Sequence, residues 1–331
     1  MRRTWVLAIA AVAALFAAWS VMAGAVTPEA RAASARWVRV SVATVWVEPG
    51  QARKLDAPAV AYPADPRAWI ASMSVAQKRW LVGRLETQVL YGTKVRLLKT
   101  SGAWAKIVIP SQPTPRDKRG YPGWVPRKQL TARAPQAAPR QAVVRRPTAW
   151  LYETAELKTR VLELSYGTRL PAVAWSDNAV EVVAPDGRHH FIERGVVAMR
   201  VSGATWPVVT GKRIATEAKR FLGLQYLWAG TSGFGFDCSG FTYSVYRAVG
   251  ITIPRDGAPQ FAAGRKVASR SALRPGDLVF FGSSGSIHHV GLYIGSGKMI
   301  HAPRTGSPVA IVSLGSEPYR SEFAGGRRYV P

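Results

Sequence analysis

Apolar and polar residues alternate through Trp37–Gly50 (WVRVSVATVWVEPG), the period of two that a half-buried β-strand shows, and Pro49-Gly50 closes the run as a turn. Pro66–Leu85 is the one helix-like stretch nearby, with Trp69, Ile70, Met73, Trp80 and Leu81 at mixed helical spacings. Short strand-like runs follow at 88–90, 93–98, 104–109 and 123–126, divided by Gly92, Gly102 and the segment 110–120. Several short strands with turn signals between them predict a small barrel. Residues 131–147 are rich in Ala, Pro, Gln and Arg and read as a linker or an extended entry strand. A second set of short strands is predicted at 149–152, 160–164, 168–173 and 179–183. Tyr91-Gly92-Thr93-Lys94-Val95 and Tyr166-Gly167-Thr168-Arg169-Leu170 share a Tyr-Gly-Thr-basic-apolar turn, which predicts that the barrel is duplicated.

The pattern changes near Trp206. Ile214, Ala218, Phe221 and Leu222 fall on one side of a predicted helix over 211–222. Phe241, Val245 and Val249 recur every four residues in a second predicted helix over 238–249, which Gly250 ends and Pro254 cannot extend. Strand-like runs at 277–281, 289–294, 298–301 and 309–312 complete the chain. Helices first and antiparallel strands after them define an α+β domain.

The N-terminus adds a destination. Met1-Arg2-Arg3 is a short positive region, Trp5–Val26 is almost wholly apolar or small, and Ala23-Gly24-Ala25 and Ala30-Arg31-Ala32 have the small-x-small pattern of signal cleavage. Residues 1–32 therefore read as a secretory signal, or as an uncleaved N-terminal anchor. No cysteine follows the apolar run, so lipid attachment there is not available. The expected location is outside the cytoplasm: secreted, wall-associated or periplasmic.

Charge changes the picture next. Lys and Arg number 45 against 19 Asp and Glu, a formal net charge of +26 over 331 residues. Such a charge draws a protein toward polyanions. The candidates are nucleic acid, anionic lipid and an anionic wall polymer; export argues against nucleic acid, so the charge points to the envelope and to an anionic polymer there as a partner. A hydrophobic fraction of 47% excludes a disordered chain.

The chain has one cysteine, Cys238, so no intramolecular disulfide can form. Asp237-Cys238-Ser239-Gly240 opens the second predicted helix. There the dipole and free N–H groups would lower a thiol pKa and could receive an oxyanion. A thiolate needs a proton acceptor. In the run from His289 to Ile294, Val290, Leu292 and Ile294 share the core face. His289, Gly291 and Tyr293 share the other, and Gly291 leaves room for a cleft. That places His289 rather than His288 beside the thiol, and His301 on the next strand could orient it. One Cys with scattered His has no metal-site spacing, so neither metal nor cofactor is expected.

Five motifs carry a resemblance: Tyr226-Leu227-Trp228-Ala229-Gly230, Phe236-Asp237-Cys238-Ser239-Gly240-Phe241, Pro275–Phe281, His289–Gly295 and Met299-Ile300-His301-Ala302. In this order they resemble NlpC/p60-type cysteine peptidases, which have a papain-like fold. The resemblance implies Cys238 as nucleophile, His289 as base, His301 as its orienting partner and Tyr226 at the oxyanion site. Residues 42–47, 85–92 and 119–126 are similar to the γ-D-glutamyl-L-diamino-acid endopeptidases that carry two bacterial SH3-like domains before the catalytic domain. In that group the first barrel walls the cleft and helps bind a free N-terminal L-Ala. Glu86 and Tyr121 match those positions, with Trp228, Asp237, Ser239 and Asp256 as further substrate contacts. The carboxylate of Asp237 could equally bond nearby backbone N–H groups. Gly257 stands where the group often has a hydroxyl residue, and Trp-Ala-Gly replaces its usual Trp-Gly-Gly.

The expected architecture is an α+β papain-like catalytic domain over 206–331. Two all-β SH3-like barrels precede it, at 37–132 and 133–203. The expected activity is hydrolysis of the γ-D-glutamyl–L-diamino-acid bond in wall-derived peptides. Hydrolysis of intact peptidoglycan stems and a non-catalytic wall-binding module are the alternatives.

Overall fold

The computed structural model describes residues 35–331 apart from Ser284. The export segment 1–32 therefore lies outside the described residues. Among those described, no helix is long and apolar enough to cross a membrane.

The duplication read from the Tyr-Gly-Thr turns extends to every strand. The first sheet contains β1 (Ala35–Val38), β2 (Val42–Trp46), β3 (Leu85–Leu90), β4 (Lys94–Ser101), β5 (Trp104–Ile109), β6 (Tyr121–Pro126) and β7 (Leu130–Thr131), ordered β3-β2-β6-β5-β4-β1-β7. The second contains β8 (Arg140–Val144), β9 (Thr148–Tyr152), β10 (Arg160–Ser165), β11 (Arg169–Trp175), β12 (Ala179–Val183), β13 (His189–Glu193) and β14 (Val197–Val201), ordered β10-β9-β13-β12-β11-β8-β14. The two orders match strand for strand. The shared turn explains the register: Gly92 and Gly167 both sit at positive φ, +74° and +77°. Their amides reach Val38 O at 2.9 Å and Val144 O at 3.0 Å, equivalent places on β1 and β8. Residues 140–144 are thus the entry strand of the second barrel.

Pro66–Leu85 forms two helices, Pro66–Ser72 and Val75–Arg79, instead of one. Ser74 interrupts it: the Ser74 hydroxyl accepts from Gln77 N while the Gln77 side chain accepts from Ser74 N, a capping box that starts a new helix. Trp69 is fully buried and its indole N–H donates to Asp56 at 2.8 Å.

In the last domain β15 (Thr231–Ser232) and β16 (Gly235–Phe236) form a short hairpin, and the helices Gly211–Ala218 and Cys238–Ala248 pack against an antiparallel sheet. Its strands are β17 (Arg265–Val267), β18 (Leu278–Ser283), β19 (Ser286–Gly295), β20 (Lys298–His301), β21 (Ala310–Ser313) and β22 (Phe323–Arg328), ordered β17-β22-β18-β19-β20-β21. Val290 and Leu292 of β19 are completely buried among Phe241, Val245 and Phe280, as the alternation predicts. The alternation also implied open space beside Gly291, and there the structure differs. A Cβ at Gly291 would come within 2.5 Å of Met299 Sδ, so the missing side chain makes room for β20 rather than for a cleft.

The first barrel is docked on this domain through β3 and the loop 110–120. Gln88 Oε1 accepts from Thr231 N and Ser232 Oγ, Pro113 O accepts from Arg255 N, and Ser111 O accepts from Tyr243 Oη. That docking carries Glu86 and Tyr121 to the start of the Cys238 helix.

Candidate active site

Asp237 has extended backbone geometry and caps the helix Cys238–Ala248, its Oδ1 accepting from Gly240 N at 2.6 Å. The cap puts Cys238 at the first helical position. Gly240 is required here, because a Cβ would lie 2.0 Å from Gly230 O. The glycine lets the helix press against the turn that carries Trp228. Ala229 in that turn has φ +61°, left-handed geometry that a glycine adopts without strain.

The thiol opens on a cavity of about 540 Å³. Glu86, Tyr121, Tyr226, Trp228, Asp237, Cys238, Ser239, Asp256 and His289 all line it. The one predicted site residue outside the lining, His301, stands behind His289: its Nδ1 lies 2.8 Å from His289 Nε2. This pairing leaves Nδ1 of His289 as the ring nitrogen available to the thiol. His288 also lines the cavity but is half-exposed, with its Nε2 3.4 Å from Glu322 Oε2.

The electrostatics differ from the expected low-pKa thiol. Burial pushes Cys238 up to about 12, with Asp237 adding to it, and hydrogen bonds from the Val290 and Ser239 backbone only partly oppose this. Burial pushes His289 down to about 3, with His301 as a second cause, and pushes His301 down to about 4. In both groups burial favours the neutral form. Helix-terminal N–H groups do not outweigh removal from water here. Burial also raises Tyr226, with Asp237 next, so its hydroxyl stays protonated and can donate.

Asp237 lines the cavity, but its oxygens are engaged. Besides Gly240 N, they accept from Ser239 Oγ at 3.2 Å and from buried Arg255, whose Nη2 lies 2.6 Å from Oδ2. Arg255 also donates to Ser239 Oγ at 2.9 Å and, through Nε, to Thr87 Oγ1 at 3.0 Å. Arg255 thus ties the helix cap to the first barrel.

Glu86 and Asp256 face the cavity from opposite domains. Tyr121 Oη donates to Asp256 Oδ2 at 2.9 Å. Burial raises the Asp256 carboxyl above its ordinary value, against the pull of Arg255 and the Tyr121 bond. Glu86 is gripped by Arg116, with Nη1 on Oε2 and Nη2 on Oε1 at 2.8 Å, and Arg116 also stacks over the Tyr121 ring. Arg116 and Arg255 are the two site residues that sequence reasoning passed over. The signal for Arg255 was its place between Pro254 and Asp256. Arg116 stands in a Pro-rich segment that read only as a separator.

A thiol at a helix N-terminus, a strand histidine braced by a second histidine, and a helix-then-sheet core define a cysteine peptidase of papain-like fold. Comparison with known proteins agrees. Residues 223–328 match the NlpC/P60 family and residues 144–199 match the YKFC SH3b2 domain. A gamma-D-glutamyl-L-lysine dipeptidyl-peptidase of Bacillus cereus (strain ATCC 10987 / NRS 248) is 42% identical over 306 residues, covering 90% of this chain and 92% of the relative. One of the same description from Bacillus subtilis (strain 168) is 36% identical, covering 87% of this chain and 96% of the relative. The crystal structure of an NlpC/P60 family protein from Bacillus cereus ATCC 10987 superposes with a TM-score of 0.84 at 40% identity, over 90% of this chain and 100% of that one. The chain belongs to the NlpC/P60 family of cysteine peptidases.

Proposed function

We propose that this peptidase hydrolyses the bond between γ-D-glutamate and an L-diamino acid in short peptidoglycan-derived peptides whose N-terminal L-Ala is free, and that residues 1–32 export it to the envelope. The observation that carries the specificity is the pairing of two carboxylates, Glu86 and Asp256, across the cavity that holds Cys238. A buried ammonium needs anionic partners. The first barrel walls that cavity through Glu86 and Tyr121. The activity described for both Bacillus relatives supports the same reading.

In the proposed reaction Cys238 Sγ gives its proton to His289 Nδ1 as it attacks the γ-carbonyl carbon. His301 holds the ring through Nε2. The negative oxygen that forms is met by the Tyr226 hydroxyl and by backbone N–H at the start of the Cys238 helix. His289 then protonates the departing amine. Water, deprotonated by His289, cleaves the thioester and regenerates the thiol.

The Arg116–Glu86 ion pair favours a second reading, in which the amine is not recognised and stems still attached to the wall are cut. Incubating the purified protein with L-Ala-γ-D-Glu-L-Lys beside intact sacculi separates the two. Release of the dipeptide L-Ala-γ-D-Glu from the tripeptide with sacculi untouched supports the first; sacculus digestion with the tripeptide left intact overturns it.

A further inference from the structure

The three domains meet at a second cleft, of about 530 Å³, that shares no lining residue with the Cys238 cavity. Four cationic side chains line it: Lys94 and Arg96 from β4, Arg169 from β11 and Arg247 from the last turn of the Cys238 helix. Among the described residues no Asp or Glu lines it. Asp117 acts on Arg96 from the neighbouring loop, but its carboxylate is already held by Arg119 at 2.8 Å.

The two guanidinium groups are fixed in place without being neutralised. Arg169 Nη2 donates to Arg247 O at 2.7 Å, and Arg247 Nη1 donates to Gly167 O at 3.2 Å. Both hydrogen-bond partners are carbonyl oxygens, and Arg169 also lies 4.9 Å from the centre of the Trp206 ring; these orient the cations without supplying an anion. Arg169 Nε is buried with no hydrogen-bond partner, a donor left open where an unmet donor is costly. Burial lowers the Arg169 pKa to about 10, and the neighbouring Arg247 charge lowers it further in the same direction. Four cations that line one cleft with no carboxylate among them are an arrangement completed by an anion.

We propose that this cleft is an oxyanion site that takes a phosphate group, bridging both barrels and the catalytic domain. Phosphate has several acceptor oxygens and more than one charge available to four cations, whereas one carboxylate neutralises only one. The group is supplied either as free phosphate or as a phosphodiester unit of an anionic polymer. Arg247 stands at the negative end of the Cys238 helix, so a ligand held there connects the two barrels to the element that carries the thiol.

Calorimetric titration of the full protein with inorganic phosphate and, separately, with poly(glycerol phosphate) tests this. Lys94→Ala/Arg96→Ala removes two rim cations at exposed strand positions. Lys266→Ala/Lys298→Ala removes the same charge on the far sheet. The expected result is one saturable site whose Kd rises about tenfold or more in the first double variant and less than about twofold in the second. Melting temperature and peptidase activity without phosphate should stay at the parent value in both. Binding of inorganic phosphate assigns the site to the free ion, and binding of the polymer alone assigns it to the phosphodiester. Equal weakening in the two double variants, or no saturable binding of either probe, overturns the proposal.

Discussion

Arg116 grips Glu86 with both arms of its guanidinium at the mouth of the Cys238 cavity, occupying the carboxylate that an incoming ammonium would need. Arg116 is half-exposed, its side chain 47% accessible, so releasing it uncovers little apolar surface. The pair competes with a substrate amine for the Glu86 carboxylate. Arg116→Ala should lower KM for the free-amine tripeptide by about three- to tenfold with little change in kcat, since exposed ion pairs of this kind are worth of order 1 kcal/mol. An acetylated tripeptide should show no such gain. An unchanged or raised KM would assign Arg116 a structural part instead.

The two adjacent histidines give a sharp contrast. His289→Ala should remove nearly all turnover, while His288→Ala should retain most of it: both line the cavity, but His301 braces His289, whereas His288 is half-exposed beside Glu322. Steady-state kcat for both variants, with melting curves to confirm folding, decides this. Inactivation by the His288 change would contradict the strand geometry.

Stability should depend on pH through the buried histidines. Both fold with pKa values depressed from 6.5, to about 3 for His289 and about 4 for His301. Between those values and 6.5 the unfolded chain binds more protons than the folded one. Folding is therefore fully favoured above about pH 6.5 and weakened as pH falls below it, by up to about 1.4 kcal/mol per unit for each histidine. Denaturant unfolding at pH 7.5 and 5.5 should show a loss that is smaller in His301→Gln. Equal losses in parent and variant would mean that His301 titrates normally.

Gly257 leaves a gap at the cavity wall. A Cβ there would meet only Ile287 Cγ2, at 4.0 Å. Gly257→Ser should fold with a melting temperature within a few degrees of the parent and add a hydroxyl beside Asp256, lowering KM for free-amine peptides. A large stability loss would show that the space is not free.

The chemistry of this chain was more legible than its architecture. A unique cysteine before a helical run and a histidine on the face of the alternating strand opposite Val290 and Leu292 point to the central pair from pattern, although that face packs on Phe281, Tyr293 and Met299 and is not open as the alternation implied. Glu86, Tyr121, Tyr226 and Asp256 came from resemblance, since their meeting depends on one domain docking on another and no local periodicity encodes that. β22 was missed because Phe323–Arg328 (FAGGRR) has no apolar alternation; its place comes from pairing with β18 and β17. The thiol pKa was misjudged for a related reason. A helix N-terminus is visible in sequence, whereas the packing of Tyr226, Val290 and Asp237 around Cys238 is not.

The account rests most on recognition of a free amine at Glu86 and Asp256, and kcat/KM for L-Ala-γ-D-Glu-L-Lys against its N-acetylated form measures it directly. Acetylation removes the charge and adds bulk against the first barrel. Two charge-assisted hydrogen bonds of roughly 1.5–3 kcal/mol each are lost, so the acetylated peptide should be cut at least about a hundredfold more slowly. Glu86→Gln should slow the free-amine substrate and leave the acetylated one nearly unchanged. Equal kcat/KM for the two peptides would contradict the amine pocket and leave a general hydrolase of wall stems in its place.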